Sequence, residues 1–105
     1  MERVTELSEK QFEEFIKKGT VFIDFFADWC MPCVMMAPIV EDVSRSFEGK
    51  IKFGKVNVND NENLARKFEV SSIPAFMLFK DGKVIENFVG AMDAEELEEK
   101  LNKFV

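Results

Sequence analysis

The sequence contains no histidine and only two cysteines among its 105 residues. Without histidine the chain lacks the commonest general base and the commonest metal ligand, so acid–base chemistry must use Asp, Glu, Lys or Cys. No basic run exceeds two residues, and the formal net charge is −6. A protein that binds double-stranded nucleic acid normally presents a basic face. The composition therefore argues against nucleic-acid binding.

Long apolar segments are missing as well. No uninterrupted apolar stretch approaches the roughly 20 residues that a membrane-spanning helix needs. The first residues, MERVTELSEK, are charged throughout, which is typical neither of a secretory signal nor of a transit peptide. We therefore expect a cytoplasmic protein without a membrane segment. The length fits a single domain over residues 1–105, since compact domains cluster near roughly 100–150 residues.

Apolar runs and turn signals divide the chain into alternating elements. The run VFIDFFA at 21–27 is apolar on both faces, as a strand in a sheet covered by helices must be. Asp81-Gly82 between two apolar runs predicts a tight hairpin. Ser8 and Asp93, each followed three residues later by Gln or Glu, predict helix starts. The predicted strands span 4–7, 21–27, 51–58, 75–79 and 84–89; the predicted helices follow Ser8, cover 31–47 and 61–68, and follow Asp93.

The predicted element order is β-α-β-α-β-α-β-β-α. Strands that alternate with helices predict an α/β fold with a central mixed sheet flanked by helices on both faces. The closing hairpin makes part of that sheet antiparallel, because its two strands run in opposite directions.

Both cysteines lie in the segment Trp29-Cys30-Met31-Pro32-Cys33, which follows a predicted buried strand and opens a helix. A helix N-terminus presents unpaired N–H groups and the positive end of the helix dipole, which stabilise a thiolate. In Cys-X-X-Cys at such a position the thiol pKa falls below its ordinary value of ~8.5. Cys30 is the better nucleophile because it is nearest the turn. Cys33, about one turn into the helix, is the candidate resolving thiol.

Two other interpretations of the cysteine pair are open. A zinc site needs about four ligands, so two cysteines without histidine would require carboxylates or a second subunit. A structural disulfide that closes so short a loop contributes only about 2 kcal/mol in the chain-entropy model, and a cytoplasmic compartment keeps it reduced. Cys-X-X-Cys beside a βαβ pattern favours a redox site instead, with no metal and no bound cofactor.

Four segments resemble the thioredoxin family: FIDFFADWCMPC at 22–33, KVNVNDN at 55–61, SIPAFMLFKDGK at 72–83 and FVGA at 88–91. They occur in the family's order and spacing over nearly the whole chain. The resemblance implies the thioredoxin fold and reduction of protein disulfides, with Cys30 attacking the substrate and Cys33 resolving the mixed disulfide. It also implies a separate thioredoxin reductase as electron donor, since the chain has no dinucleotide-binding fingerprint.

Asp24 interrupts an otherwise apolar strand six residues before Cys30. Because its neighbours on both sides are apolar, we expect Asp24 to be buried, and burial would raise the pKa of this carboxyl toward the range of a general base. The strand pattern equally allows a half-exposed position or an ion-paired structural acid. Lys55 by itself is most simply a solvent-facing strand lysine. The resemblance implies instead that Asp24 is buried and helps to deprotonate Cys33, and that Lys55 lies close enough to tune both groups.

The resemblance further implies an apolar substrate-binding surface around the cysteines. Because Trp29 adjoins the nucleophile, we expect it to be partly exposed. Gly90 would let a substrate backbone approach closely, but it is equally compatible with a simple strand-to-helix turn. A cis peptide bond is implied between Ile73 and Pro74, packed against the disulfide. The implied surface residues are Trp29, Met31, Pro32, Val58, Ile73, Pro74, Val89, Gly90 and Ala91.

Three positions depart from the common family pattern. Met31 stands where glycine is common, Phe26 where tryptophan is common, and Asn59 where aspartate is common. Because the residues between the cysteines influence which redox state is stabilised, Met31 leaves the redox potential open. A glutaredoxin-like protein, a thiol oxidant or isomerase, and a non-catalytic binding subunit are therefore alternatives on the same fold. We expect a monomer, since one small domain with a closed core needs no partner.

Overall fold

The computed structural model of the protein describes residues 3–105. Within that range the chain forms five strands and four helices in the predicted order. The elements are β1 Val4–Glu6, α1 Glu9–Ile16, β2 Thr20–Phe26, α2 Met31–Ser46, β3 Lys52–Asn57, α3 Glu62–Lys67, β4 Ala75–Lys80, β5 Lys83–Val89 and α4 Ala94–Asn102. None of the helices in the described range is long and apolar enough to cross a membrane.

The strands form one mixed sheet in the order β1-β3-β2-β4-β5. Strands β1, β3 and β2 are parallel, whereas β4 and β5 run antiparallel to their neighbours. In the central strand β2, Phe26 pairs with Asn57 of β3 and Phe25 pairs with Ala75 of β4, which in turn pairs with Val89 of β5. The connecting segments 27–30, 58–61, 71–74 and 90–93 therefore meet at one end of the sheet, called here the cysteine end.

Helices cover both faces of the sheet, as the alternating element order predicts. On one face α2 and α4 pack against the strands, and on the other face α1 and α3 do so. The fully buried side chains are mainly aromatic and aliphatic. The largest of them are Phe12, Phe22, Phe25, Phe76 and Phe79. The apolar run at 21–27 is buried on both sides because β2 lies between these two layers.

The predicted hairpin turn is confirmed, but it is shorter than expected. Asp81 and Gly82 have φ angles of 49° and 88°, the left-handed conformation that a two-residue hairpin loop of the primed type requires. The strands run up to Lys80 and resume at Lys83. The predicted four-residue connection is therefore only two residues long.

Both predicted helix caps are present. The Ser8 N–H donates to Oε1 of Gln11 at 2.9 Å, and the Glu96 N–H donates to Oδ1 of Asp93 at 2.8 Å. These bonds satisfy N–H groups that a helix start or its flanking residue otherwise leaves unpaired. Most other element boundaries differ from the predicted ones by one or two residues, which is the ordinary uncertainty at frayed ends.

Gly54 lies in the middle of β3, where side chains from other elements come close to its backbone. A Cβ added at this position would lie 2.9 Å from Leu7 Cδ1, 2.9 Å from Phe15 Cε2 and 3.2 Å from Ile23 Cδ1. We expect Gly54→Ala to lower the free energy of unfolding by about 1–3 kcal/mol, because such overpacking outweighs the roughly 0.5–1 kcal/mol gained by removing glycine's flexibility. Urea unfolding measures the difference. An unchanged or higher unfolding free energy would show that the three side chains make room without cost.

Candidate active site

The cysteine pair lies just after β2, at the start of α2. Cys30 is the N-cap residue of α2 and Cys33 lies in its first turn, so the predicted position at a helix start is confirmed. The two residues form a disulfide with their Cα atoms 5.2 Å apart. Among residues 3–105, no three or more His, Cys, Asp or Glu side chains converge in a way that could hold a metal ion. The zinc interpretation therefore gains no support.

Backbone groups of two elements surround the Cys30 sulfur. The Cys33 N–H donates to Cys30 Sγ with an N–S distance of 3.2 Å. The carbonyl oxygen of Ile73 lies 3.9 Å from the same sulfur. The N–H donor and the positive end of the α2 dipole both stabilise negative charge on Cys30 once the disulfide is opened. The local geometry therefore makes Cys30 the nucleophile candidate.

Both cysteines are almost fully buried. Cys30 is 5% exposed and Cys33 is 4% exposed. Their packing partners are Phe26, Ala27, Val58 and Ile73. The adjoining side chains are the exposed ones, with Trp29 at 69% and Met31 at 66%. A partner therefore meets these two side chains first and reaches the disulfide only by fitting closely against them.

Asp24 is almost fully buried in β2, opposite Lys55 of β3 and Phe76 of β4. Its Oδ1 atom has no hydrogen-bond partner within the described chain. Desolvation raises the pKa of Asp24 from 3.8 to about 7, and the positive charge of Lys55 opposes part of that rise. The half-exposed alternative is therefore wrong, because Asp24 is only 5% exposed. The result is a carboxyl group that exchanges its proton near neutral pH.

Lys55 lies in register with Asp24 and is half-buried rather than fully in solvent. Its Nζ is 5.8 Å from the centroid of the Phe26 ring. The ring stands where a tryptophan is common in the family, and it supplies an aromatic surface beside the cation. The structure thus places a positive charge where it acts on the buried carboxyl.

A cavity of about 380 Å³ is lined by both Asp24 and Cys33. Lys55 and two further carboxylates, Asp28 and Glu41, also line it. A water molecule takes up about 30 Å³ of liquid, so the cavity has room for water that could carry a proton between Asp24 and Cys33. Sequence reasoning did not identify Asp28 or Glu41 as neighbours of the pair.

The predicted surface residues gather at the cysteine end. The Gly90 N–H donates to the carbonyl oxygen of Pro74 at 2.9 Å and ties the segment after β5 to the segment before β4. The expected cis peptide bond between Ile73 and Pro74 is confirmed. Pro74 itself is buried, whereas Val58, Ile73 and Gly90 are half-buried. The exposed members of the set are Trp29, Met31, Pro32, Val89 and Ala91.

Gly90 has a φ angle of 99°. Only glycine adopts such an angle without strain, and this requirement accounts for the residue as part of a strand-to-helix turn. A Cβ built there would meet nothing within 4 Å. The open space around the position also leaves room for an approaching backbone, so the two interpretations are compatible.

Two exposed apolar residues of α2 were missed by sequence reasoning. Val34 is 49% exposed and Met35 is 66% exposed. Met35 lies one helical turn beyond Met31, so the two side chains are neighbours on the helix surface. Their exposure could have been predicted from the sequence. The helical period that buries Cys33 and Met36 places Val34 and Met35 on the outer face.

Asp24→Asn tests the energetic cost of the buried carboxyl. A carboxyl whose pKa is raised on folding contributes stability that is fully present below about pH 3.8 and is lost as the pH rises to about 7. We expect the variant to be more stable than the wild type by about 3–4 kcal/mol at pH 8.5, with the difference shrinking towards pH 4. Urea unfolding of both proteins across this range measures it. Parallel stability curves at all pH values would show that Asp24 titrates normally.

Known proteins match the chain along nearly its full length. The thioredoxin family model matches residues 3–103. A thioredoxin from Staphylococcus haemolyticus is 39% identical over 100 residues, which cover 95% of this chain and 96% of that protein. A thioredoxin from Chlamydia pneumoniae is 42% identical over 97 residues, covering 92% and 94%. A thioredoxin from Pseudomonas aeruginosa is 39% identical over 98 residues, covering 91% of each chain. The chain therefore belongs to the thioredoxin family of thiol–disulfide oxidoreductases, with Cys30 and Cys33 as its redox-active pair.

Proposed function

We propose that this protein reduces disulfide bonds in other proteins, with Cys30 as nucleophile and Cys33 as resolving thiol. The observation that carries the assignment is the hydrogen bond from the Cys33 N–H to Cys30 Sγ at the start of α2. The Cys30 thiolate attacks one sulfur of the substrate disulfide and releases the other as a thiol. Cys33 then attacks Cys30, which releases the second substrate thiol and leaves the Cys30–Cys33 disulfide. Two electrons and two protons pass to the substrate.

Asp24 is the proposed proton acceptor for Cys33. The thiol of Cys33 must lose its proton before it can attack the mixed disulfide. Asp24 and Cys33 line the same cavity, and a carboxyl with a pKa of about 7 both accepts and returns a proton at neutral pH. Lys55 is proposed as a positioning residue that keeps this pKa from rising further.

The proposed substrate surface consists of the exposed and half-buried apolar residues around the disulfide. Trp29, Met31 and Val89 offer broad apolar contacts to many different proteins. Val34 and Met35 extend that surface along α2. A broad apolar surface is suited to unfolded or loop-borne disulfides, because it does not require one defined partner shape.

The oxidised protein must regain two electrons after each cycle. No dinucleotide-binding fingerprint occurs in the sequence. We therefore propose a separate thioredoxin reductase as the electron donor. A compartment that favours dithiols, such as the cytoplasm, suits a protein that is used in its reduced form.

Single-cysteine variants test the two proposed roles. We expect Cys33→Ser to accumulate a stable mixed disulfide through Cys30, because the resolving thiol is missing. We expect Cys30→Ser to reduce a protein disulfide at least about 100-fold more slowly than the wild type, because the nucleophile is missing. Mass spectrometry of the alkylated products detects the adduct, and an insulin reduction assay measures the rate. The Cys30→Ser/Cys33→Ser double variant provides the baseline, and an active Cys30→Ser protein would refute the assignment.

The pH dependence of the resolving step tests Asp24. With an aryl disulfide such as dithiobis(nitrobenzoate), the first chromophore release reports the attack by Cys30 and the second reports the attack by Cys33. We expect the rate of the second release to rise with a midpoint near pH 7 in the wild type. In Asp24→Asn this midpoint should vanish, and at pH 7.5 the step should be about 10–100-fold slower, since positioned general bases contribute at least that much. Equal second phases in both proteins from pH 5 to 9 would exclude Asp24 as the base.

A further inference from the structure

Charged residues are distributed unevenly between the two ends of the sheet. The loops at the cysteine end, taken with the adjoining strand ends and the first turns of α2, α3 and α4 as segments 27–33, 57–62, 71–74 and 89–96, contain six acidic residues and no lysine or arginine. The start of α1, where the Glu9 N–H donates to Asn61 Oδ1, lies at the same end and adds one residue of each charge, Glu9 and Lys10. All six acidic side chains are exposed to solvent, and together they form what we call the acidic rim. Its members are Asp28, Asp60, Glu62, Asp93, Glu95 and Glu96.

The opposite end of the sheet carries the reverse charge. The connecting segments there are 17–20, 45–52 and 80–83, which hold seven basic residues and two acidic ones. The basic residues are Lys17, Lys18, Arg45, Lys50, Lys52, Lys80 and Lys83. The protein is about 30 Å across, whereas exposed charges are screened over about 8 Å at physiological ionic strength. The basic end therefore does not cancel the negative field around the disulfide.

Helix capping explains only part of the acidic rim. Acidic side chains at helix N-termini interact favourably with the helix dipole, and Asp93, Glu95 and Glu96 lie at or just after the start of α4. Asp28 and Asp60 lie outside the helices, in the loops that precede α2 and α3. Their charges therefore cannot be assigned to helix formation.

Asn57 connects the loops that carry Asp28 and Asp60. Its Nδ2 donates to Oδ2 of Asp28 at 3.4 Å, and its Oδ1 accepts from the Asp60 N–H at 3.4 Å. Asn57 itself is buried at the end of β3. One buried side chain thus holds the Asp28 carboxylate and the Asp60 backbone at the cysteine end.

Exposed apolar side chains lie at the same end of the sheet as the acidic rim. Trp29, Met31, Met35 and Val89 are each more than 60% exposed, and they lie at or beside the disulfide. An apolar centre with a rim of one charge complements a partner that has apolar residues at the contact and the opposite charge around them. Like-charged partners approach such a surface more slowly.

We propose that the acidic rim makes this protein selective for disulfides flanked by lysine or arginine next to apolar residues. This selectivity rests on the proposed function, because it concerns the substrate class of the same site. Apolar side chains of the substrate dock against Trp29 and Met31, and its cations face the carboxylates of Asp28 and Asp60. The rim acts on association, whereas the thiol exchange itself takes place at Cys30 and Cys33.

Three matched peptides test the selectivity. Each has the same length, one intramolecular disulfide and the same apolar residues, and the flanking positions are all Lys, all Gln or all Glu. The reduced protein is mixed with each peptide, the reaction is quenched with acid, and peptide thiols are quantified by chromatography. The second-order rate constant for each peptide is divided by the rate constant with which dithiothreitol reduces the same peptide. This division corrects for the intrinsic reactivity of the peptide disulfide.

We expect the normalised rate constant for the Lys peptide to exceed that for the Glu peptide about 10-fold at low ionic strength, with the Gln peptide between them. In 0.5 M NaCl this ratio should fall to about twofold, because salt screens exposed charges. Asp60→Asn/Glu62→Gln changes two exposed rim residues that do not line the cavity shared by Asp24 and Cys33, and it should lower the ratio about threefold at low salt. The matched control Glu14→Gln/Asp42→Asn removes the same charge from exposed helix positions away from the cysteine end and should leave the ratio unchanged.

The possible outcomes separate this proposal from the function on which it rests. Equal normalised rates for the three peptides would overturn the selectivity and leave disulfide reduction intact. Failure to reduce any of the peptides or insulin would overturn the proposed function itself. A Lys preference that stays about 10-fold in 0.5 M NaCl, or that both double variants retain in full, would show that the acidic rim does not cause it.

Discussion

The pairing of β2 on both of its edges is the constraint on which the rest of the site depends. Hydrogen bonds to β3 and β4 hold the strand along its length, and helices cover both of its faces. Its last residue, Phe26, is therefore fixed in the sheet, and only four residues separate it from α2. The buried side chains of α2, among them Met36 and Val40, anchor the helix against the same sheet. Cys30 is thus positioned by the core although its neighbours Trp29 and Met31 are exposed.

The same strand contains the least favourable residue of the core. Asp24 is almost fully buried, with one carboxylate oxygen lacking a hydrogen bond within the described chain. A buried charge of this kind lowers stability at neutral pH, since the unfolded chain ionises more easily than the folded one. The fold tolerates such a residue because the two apolar clusters on either face of the sheet supply the compensating stability. Burying an ionisable carboxyl disfavours folding, whereas proton exchange near neutral pH depends on that burial. Such a conflict between stability and chemistry is characteristic of functional sites.

Two electrostatic influences of opposite sign act at the cysteine end. The acidic rim disfavours a thiolate, whereas the start of α2 favours one. The second influence prevails at Cys30, because its donor is an N–H only 3.2 Å from the sulfur while the rim carboxylates are exposed and screened by water. An approaching partner that is still several ångströms from the surface is affected mainly by the charges of the rim carboxylates. The N–H group beside Cys30 acts only at hydrogen-bond distance and does not affect that partner. One end of the protein can therefore stabilise a thiolate and attract cations at the same time.

The sequence by itself determined the local features. The order of elements, the caps at Ser8 and Asp93, the turn at Asp81-Gly82 and the cysteines at a helix start all follow from residues close together in the chain. The burial of Asp24 followed from its apolar neighbours in the strand, whereas the cis bond before Pro74 followed from the family resemblance rather than from composition. Only the tertiary structure decided the strand order, the cavity that joins Asp24 to Asp28 and Glu41, the low exposure of Cys30, and the gathering of acidic loops at the same end as an apolar surface. These features depend on how segments far apart in sequence pair and pack, and local periodicity carries no information about such long-range contacts.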